Sequence, residues 1–261
     1  AILLGAEMGL GKAQPTDCIV KTPNGDVPIG GLSVGDHIFA SDGTIQYVKG
    51  VFPQGVQETF LVRFQDGSYT RCNKEHLWLA RAGSARCREW KVYTLDQMVQ
   101  RGVSRKTPAG STNNRWEFPL CGPVQYPRKY QPLGPYALGA LLGDACFRGG
   151  VVLTTAGEDQ HIREKVCAAW PRFTERKKGD GVYDIRLLGA REVMEGLGLY
   201  DLLSFDKFIP KRYLMGDERQ RRELLSGLLD TDGFCNTRGS VSFSSKSGKL
   251  AQGVKELVMS L

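Results

Sequence analysis

A duplicated segment constrains this chain more than any other feature. Residues 137–145 read ALGALLGDA, and residues 225–233 read LSGLLDTDG. When Gly139 is aligned with Gly227, each copy has an aspartate five residues later, and each is followed by a strand-like and then a helix-like stretch. The sequence therefore predicts that one unit, an apolar helix ending in aspartate followed by a strand and a helix, occurs twice.

The two copies predict a pair of helices packed backbone to backbone, because small residues recur in both. Each helix would bring one carboxylate, Asp144 or Asp232, to a shared C-terminal end. Neighbouring carboxylates repel each other unless a cation neutralises them, and Mg²⁺ prefers such oxygen ligands. Two such metals can stabilise the attacking and leaving oxygens of a phosphodiester. One copy alone is typical of a buried helix that ends in a turn, but the matched pair favours a metal site.

The region around the duplication mixes helix and strand patterns, whereas residues 18–82 carry short strand-like runs separated by glycine-containing turns. Asn24-Gly25 and Asp66-Gly67 are hairpin signals in this first region. The sequence therefore predicts an all-β unit followed by an α+β unit. In the second unit we expect helices over 135–142, 158–170, 190–197, 218–229 and 249–261, and strands over 151–155, 172–174, 183–188 and 241–244.

The first twelve residues begin a phosphate-binding loop. A short apolar run leads into a glycine-rich turn with Gly9, Gly11 and Lys12, a pattern whose backbone amides and lysine hold phosphates. The next residue should be Ser or Thr to bind Mg²⁺. It is Ala13 instead, and no helix-like pattern follows. The loop is therefore begun and then interrupted.

Composition adds one observation, a basic stretch over residues 83–130. Lysine and arginine exceed aspartate and glutamate by 35 to 28 in the whole chain, and this stretch holds nine basic and three acidic residues. Its basic residues, with Arg86, Arg88 and Lys91 as the leading candidates, are interleaved with aromatics and suit a surface that contacts phosphates. The two interpretations are a solvated linker, with a loop over 106–114, and a DNA-contacting arm.

Three other patterns narrow the class of protein. No apolar run is long enough to span a membrane, and residues 1–12 do not have the form of a secretory signal. The seven cysteines are scattered without a Cys-x-x-Cys pair, which argues against a disulfide framework and a zinc ribbon. We therefore expect a cytoplasmic or nucleoid-associated protein that is not secreted and has no membrane partner.

The duplicated segments resemble the LAGLIDADG, or dodecapeptide (DOD-type), homing endonucleases. The second copy matches closely, and the first departs at Ala145, where the family usually has glycine. The resemblance implies a monomeric α+β domain over 131–261 with αββαββα-type repeats, truncated in the second. It also implies Mg²⁺-dependent double-strand cleavage of a long, pseudo-symmetric DNA site, with Asp144 and Asp232 as the catalytic, metal-binding residues. The run DKFIP resembles the Lys-x-Ile-Pro block of the family, which implies a catalytic role for Lys207.

The β-rich region resembles the start of an intein, a self-splicing Hint module, of the subtype that begins with alanine. The runs AQPTD, TPNG, VGD and EHLW follow the intein pattern in order. The resemblance implies an all-β module over 13–130 that includes the basic stretch, with its splice junction between Lys12 and Ala13. It also implies that His76 acts as the general acid at that bond. Asn73 stands where many inteins have threonine.

The resemblance also implies how the splice junction would react. Ala13 has no nucleophilic group, so the first host residue downstream would attack the bond between Lys12 and Ala13 directly. Cys18 is the rival first residue, but the interrupted phosphate loop favours Ala13. His37 and His161 have no matching context, and we interpret both as structural.

Residues 1–12 would then end a host segment that resembles the ATPase of a Swi/Snf-like helicase. ATP would serve only the spliced host protein, whose host segments act in cis. No His-Asn pair, the usual end of an intein, occurs in the sequence, so we expect a fragment that is incomplete for both activities. Two alternatives remain open. One is an insert that splices but no longer cuts DNA, suggested by Ala145, and the other is a P-loop ATPase or helicase with a DNA-binding domain.

Overall fold

The computed structural model describes residues 14–82, 89–106, 110–179 and 181–261. By its internal contacts the chain divides into two compact units, one ending at Gln125 and the other beginning at Tyr126. The sequence pattern changes character at residue 131, a few residues later. Tyr126 belongs with the second unit because its ring lies 5.4 Å from the buried guanidinium group of Arg221.

Short antiparallel strands and one helix build the first unit. Its elements are β1 (Ile19–Thr22), β2 (Gly25–Pro28), β3 (His37–Phe39), β4 (Ile45–Tyr47), β5 (Phe60–Arg63), β6 (Tyr69–Cys72), β7 (Leu77–Ala82), β8 (Lys91–Thr94), α1 (Leu95–Gln100), β9 (Ser104–Lys106), β10 (Thr112–Asn114) and β11 (Trp116–Glu117). The pairs β1–β2, β3–β4, β5–β6 and β9–β10 are two-stranded, and β7 lies between β11 and β8. The predicted β-rich architecture is confirmed for this unit.

The first hairpin turns one residue earlier than predicted. Thr22 pairs with Gly25, so Pro23 and Asn24 form the loop. The hydroxyl group of Thr22 stabilises this turn, because it donates to the carbonyl oxygen of Gly25 at 2.7 Å and accepts from the amide of Asn24 at 3.2 Å. The second predicted turn lies where expected, and Gly67 has a φ of +82°, a conformation that favours glycine.

The basic stretch is not a solvated linker where the structure describes it. Strands β8 and β11 pair with the two sides of β7. Tyr93 and Trp116 from these strands are buried, with ring centroids 5.0 Å apart, in a hydrophobic core that also contains Trp78. Both ends of the predicted loop over 106–114 are strand residues, because β9 pairs with β10 from Lys106 and Thr112 onward. The linker interpretation is therefore wrong for these residues, because their aromatic side chains are part of the core.

Helix α1 was not predicted, although its start has a local signal. The hydroxyl group of Thr94 accepts from the amide of Gln97 at 3.1 Å, and the side chain of Gln97 accepts from the amide of Thr94 at 3.0 Å. This reciprocal pair is a capping box. Leu95 and Met98 then turn into the core of the first unit. The helix is therefore fixed by its cap and by burial of one apolar face.

The second unit contains two copies of a helix–strand–strand–helix unit, with one strand more in each copy than the sequence predicted. Its helices are α2 (Pro135–Asp144), α3 (Gln160–Ala168), α4 (Arg191–Gly196), α5 (Lys211–Leu214), α6 (Glu218–Asp232) and α7 (Gly248–Met259), and its strands are β12 (Ala145–Cys146), β13 (Val151–Ala156), β14 (Phe173–Lys177), β15 (Val182–Leu187), β16 (Gly233–Cys235) and β17 (Val241–Phe243). From α2 to α4 the order is helix, two strands, helix, two strands, helix. From α6 to α7 the order is helix, two strands, helix.

One antiparallel sheet supports the first copy. Its strand order is β12-β13-β15-β14, and β16 pairs with β17 separately. Alternate residues of the two central strands, such as Leu153 and Ile185, are fully buried in one core with Leu138 of α2 and Leu228 of α6. The opposite face of the sheet is more open. No helix in the part of the chain that the structure describes is long and apolar enough to cross a membrane.

Candidate metal centre

Helices α2 and α6 pack against each other through their glycines. A Cβ atom at Gly139 would collide with the backbone of α6, and one at Gly227 would collide with the backbone of α2. One turn further along, Gly143 faces the side chain of Thr231. Because these contacts advance in the same direction on both helices, the helices run parallel and their C-terminal ends lie together. The predicted close packing of the two copies is confirmed.

The two predicted carboxylates meet at these helix ends. Asp144 is the last residue of α2, and Asp232 is the last residue of α6. The carboxylate of Asp232 reaches toward α2, since a Cβ atom at Gly143 would lie 3.5 Å from its Oδ2 atom. Burial raises the pKa of both groups, and the charge of Asp232 raises the pKa of Asp144 further. Both carboxylates also lie at the negative ends of their helix dipoles, so the pair favours a bound cation.

Lys207 is buried beneath the end of α2, with only 4% of its surface exposed. Its Nζ atom lies within hydrogen-bond distance of four carbonyl oxygens, those of Leu142 and Ala145 at 2.8 Å, Gly143 at 3.0 Å and Leu141 at 3.3 Å, which its three N–H groups share. The last carbonyl groups of a helix have no partner within the helix, so the ammonium group caps α2. Burial lowers the pKa of Lys207, and the nearby carboxylates oppose that shift.

Lys207 lies where the resemblance implies a catalytic lysine. The resemblance does not, however, predict the contacts that its side chain makes. The ammonium group lies beside Asp144, since it contacts the carbonyl oxygens of the residues on either side of it, Gly143 and Ala145. Its hydrogen bonds, however, all go to backbone that lies 62 to 66 residues away in the sequence. Its catalytic role stays a prediction, and the structure adds the capping of the helix that ends at Asp144.

Asp159 is an acidic neighbour of the site that the sequence patterns missed. It lies in the short turn between β13 and α3, and its charge raises the pKa of Asp144. The same charge also raises the pKa of Tyr136, which lies earlier along α2. Because β13 runs antiparallel to β12, the turn that follows β13 comes back alongside α2. No local sequence pattern marks Asp159, because its place beside α2 follows from the pairing of β12 with β13.

The donor set at the helix ends fits a divalent cation of the Mg²⁺ type. Within the described ranges, no group of three or more His, Cys, Asp and Glu residues lies close enough to hold a metal. Mg²⁺ is usually bound by one or two carboxylates together with water and substrate phosphates. Asp144 and Asp232 match that pattern, and the repulsion between them is the kind that such an ion relieves.

The exposed face of the four-stranded sheet lies next to the candidate metal centre. Strand β12 follows Asp144 directly in the chain. On the exposed face, Thr154 donates to the carboxylate of Asp184 at 2.8 Å, and the guanidinium groups of Arg176 and Arg186 are on exposed residues. A polar surface with exposed arginines therefore adjoins the two carboxylates.

The predicted splicing residues lie together in the first unit. His76 and Asn73 are 7% and 3% exposed. The side-chain amide of Asn73 donates to Gln57 Oε1 at 2.6 Å and to Glu75 Oε2 at 3.1 Å. The imidazole ring of His76 packs edge-on against Trp78, with ring centroids 5.3 Å apart. The structure therefore holds this histidine in a confined setting, and its role in splicing stays a prediction.

Cys18 is poorly suited to be the first residue of an intein. Its thiol is partly buried, with Sγ 4.0 Å from the carbonyl oxygen of Arg71. Burial raises the pKa of this thiol, and the thiolate is the form that attacks a carbonyl. The preference for Ala13 as first residue is therefore kept, although Ala13 lies outside the described residues.

Several predicted residues also lie outside the described part of the chain, namely Gly9, Gly11, Lys12, Arg86 and Arg88. Lys91 is described and begins β8, where its Nζ atom lies 3.3 Å from Glu89 Oε2 on the exposed surface. Its contact with DNA stays a prediction. The two remaining histidines form side-chain contacts: the ring of His37 lies 4.6 Å from that of Tyr47, and Nε2 of His161 lies 3.6 Å from Oδ2 of Asp230.

Comparisons with known proteins bear on both units. Residues 219–261, which include Asp232, match the model of a family described as a LAGLIDADG-like domain. The chain is 29% identical over 274 residues to a protein described as replicative DNA helicase DnaB from Mycobacterium intracellulare. That alignment covers 100% of this chain and 44% of the relative, so the chain spans less than half of that relative's length. A crystal structure of the gp41-1 intein is similar at 20% identity and a TM-score of 0.30, over 40% of this chain and 77% of that one.

Residues 219–261 of the second unit are therefore similar to a LAGLIDADG-like domain. These two similarities, to a LAGLIDADG-like domain and to a helicase, agree with the corresponding parts of the resemblance drawn from the sequence. The relative is a helicase, as the interrupted phosphate loop implied, and it is described as a replicative DnaB helicase rather than a Swi/Snf-like one.

Proposed function

We propose that the second unit is a DOD-type homing endonuclease that cleaves both strands of DNA with Mg²⁺, carried within an intein. One observation carries the proposal: two aspartates end two parallel helices that are packed at their glycines. The raised pKa values of both carboxylates fit a centre that is electrostatically incomplete without a cation. The match of residues 219–261 to a LAGLIDADG-like domain supports the same class of enzyme.

Asp144 and Asp232 would hold the metal, and the bound metal would supply Lewis-acid stabilisation of a phosphodiester. The chain's own residues prepare that chemistry. The parallel packing of α2 and α6 fixes the spacing of the two carboxylates. Lys207 holds the last turn of α2, and the exposed face of the sheet offers arginines to the DNA backbone. A sheet surface beside the metal centre suits a long duplex site.

The proposal is tested on the full-length natural protein with a plasmid that carries the uninterrupted host helicase gene. We expect linear product with Mg²⁺, and loss of cleavage when EDTA removes the metal. The control plasmid carries the same gene interrupted by the intein sequence, which should stay intact. Specific binding of the uninterrupted site without nicking at any Mg²⁺ concentration would instead support the alternative of an insert that splices but no longer cuts.

The alternative of an insert that no longer cuts DNA was suggested by Ala145. The backbone conformation at Ala145 gives it little support. Ala145 has a φ of −88° and a ψ of 148°, and Gly233, its counterpart, has −86° and 149°. Both are extended conformations that any residue adopts. Alanine therefore fits this position without backbone strain, and the departure from the family pattern does not itself indicate a degenerate centre.

We propose protein splicing as the second function, with host segments in cis as its partners. The supporting observation is the confined histidine of the first unit: His76 is buried beside Trp78, and the amide of His76 donates to the carbonyl oxygen of Asn73 at 3.3 Å. A histidine in such a setting can protonate a leaving amide group. ATP would bind only to the spliced host protein.

Replacing His76 with alanine is expected to reduce cleavage at the upstream splice junction by about a hundredfold, since general acid catalysis contributes on this scale. The measurement is the rate at which full-length precursor disappears on a gel. His37→Ala is the matched control, because His37 is exposed and contacts only a surface tyrosine ring among the described rings. Equal splicing rates for the two variants would contradict the role of His76 as the general acid.

A further inference from the structure

The backbone that carries Lys207 is anchored to a helix of the second copy. Ser247 is fully buried, and its hydroxyl group donates to the carbonyl oxygen of Lys207 at 2.6 Å. The same hydroxyl oxygen accepts from the amide of Leu250 at 3.1 Å and so caps the N-terminus of α7. One side chain therefore connects the start of α7 to the residue that caps α2.

A second contact joins the same segments by packing. Ile209 is buried, and a Cβ atom at Gly253 of α7 would lie 3.2 Å from the Ile209 side chain. Helix α7 is itself held in the core by Leu250, Val254 and Leu257. The segment with Lys207 thus rests on a helix that burial keeps in place.

This anchor matters because lysine has a long, flexible side chain. Its ammonium group can hold the end of α2 only if its own backbone is fixed. The path runs from the Ser247 hydroxyl to the Lys207 carbonyl, and from the Lys207 ammonium to the carbonyls of Leu142 and Ala145. Those two carbonyls flank Asp144.

We infer that Ser247 is a positioning residue for the metal centre, acting through Lys207 on the helix end that carries Asp144. Among the hydrogen bonds of the described residues, its hydroxyl group contacts Lys207 and Leu250 and neither aspartate. The inference rests on the proposed endonuclease function, because that function is what assigns Asp144 as a metal ligand. It goes beyond that function because it states that α7, a helix of the second copy, helps to hold the carboxylate of Asp144 in place.

The test uses Ser247→Gly, Ser247→Ala and Ser247→Thr in the full chain. Glycine is tolerated at a helix N-cap at little cost, so Ser247→Gly removes the hydroxyl group while keeping most of the cap. Asp217→Ala is the matched control, because Asp217 caps the N-terminus of α6 in the same way and has no contact with Lys207 among the hydrogen bonds of the described residues. The measurements are Mn²⁺ binding by electron paramagnetic resonance, hydrogen exchange at the amide of Ala145, and the thermal midpoint.

We expect Ser247→Gly and Ser247→Ala to weaken Mn²⁺ binding about tenfold, the scale seen when the support of a metal ligand is removed. The amide of Ala145, which donates to Leu141 at the end of α2, should exchange faster. Ser247→Thr should restore both values. Asp217→Ala should lower the thermal midpoint but change neither Mn²⁺ binding nor exchange at the amide of Ala145.

The inference is overturned if the Ser247 variants lose only thermal stability, as the Asp217 variant does. It is also overturned if exchange at Ala145 stays unchanged in Ser247→Gly. A wild-type chain that binds no Mn²⁺ would count against the proposed function, and exchange at Ala145 would then still decide whether Ser247 positions the end of α2.

Discussion

Replacing either Asp144 or Asp232 with asparagine is expected to reduce DNA cleavage by at least about a thousandfold, roughly 4 kcal/mol of transition-state stabilisation. Each substitution removes one of the two carboxylates that end the paired helices. Asparagine has nearly the same shape, so the packing of α2 on α6 is kept. The measurement is the single-turnover rate on the uninterrupted host gene with Mg²⁺.

Asp230→Asn is the control for this prediction. Asp230 lies two residues before Asp232 on the same helix, but its carboxylate accepts from the hydroxyl group of Tyr136 at 2.6 Å. The substitution removes a carboxylate of the same motif that faces away from the centre, so cleavage should remain close to wild type. If Asp230→Asn abolishes cleavage while Asp232→Asn does not, the metal ligand has been assigned to the wrong carboxylate.

The pH dependence of stability separates loss of function from loss of fold. Burial raises the pKa of Asp144 and Asp232 in the folded chain. A carboxyl group with a raised pKa stabilises the fold below its ordinary pKa, and that contribution is lost as the pH rises through the raised value. Without metal at neutral pH, the asparagine variants should therefore melt no lower than wild type, and acidification should favour the wild type relative to them.

Much of the candidate metal centre could be predicted from two features of the sequence. The glycines indicate where two backbones come close, and the spacing from glycine to aspartate indicates where the carboxylates lie. Gly139 and Gly227 indicate close approach, since only a residue without a side chain permits it. Equal spacing from each glycine to its aspartate then predicts that Asp144 and Asp232 meet. Apolar periodicity predicts the longer helices and strands of the second unit, and these are present, but the short elements α5, β12 and β16 were not predicted.

The rest depends on contacts between distant parts of the chain, which no local pattern reveals. The resemblance singles out Lys207 but not its backbone partners, and nothing local marks Ser247, because the partners of both lie tens of residues away in the sequence. The basic stretch was misjudged for a different reason. Its net charge is typical of an exposed segment, whereas the burial of Tyr93 and Trp116 builds the core of the first unit. The capping box at Thr94 is a local signal that predicts α1.

The largest effect on stability is expected for Gly227→Ala, which should destabilise the second unit by about 2–3 kcal/mol. The added methyl group would collide with the backbone of α2, and two helices held by a shared core cannot separate to admit it without losing packing. The gain of up to about 1 kcal/mol from the helix propensity of alanine is too small to offset this. Calorimetry should show the thermal midpoint lowered by roughly 5–10 °C.

Gly196→Ala is the matched control, a helical glycine of the same unit with no atom within 4 Å of the added methyl group. It should leave stability unchanged or raise it by up to about 0.5 kcal/mol, because alanine loses less backbone entropy on folding. Equal stability of the two variants would mean that the helices are not in backbone contact at Gly227. The two aspartates would then lack the close parallel packing that holds them together, so this pair of substitutions tests the architecture of the centre independently of its chemistry.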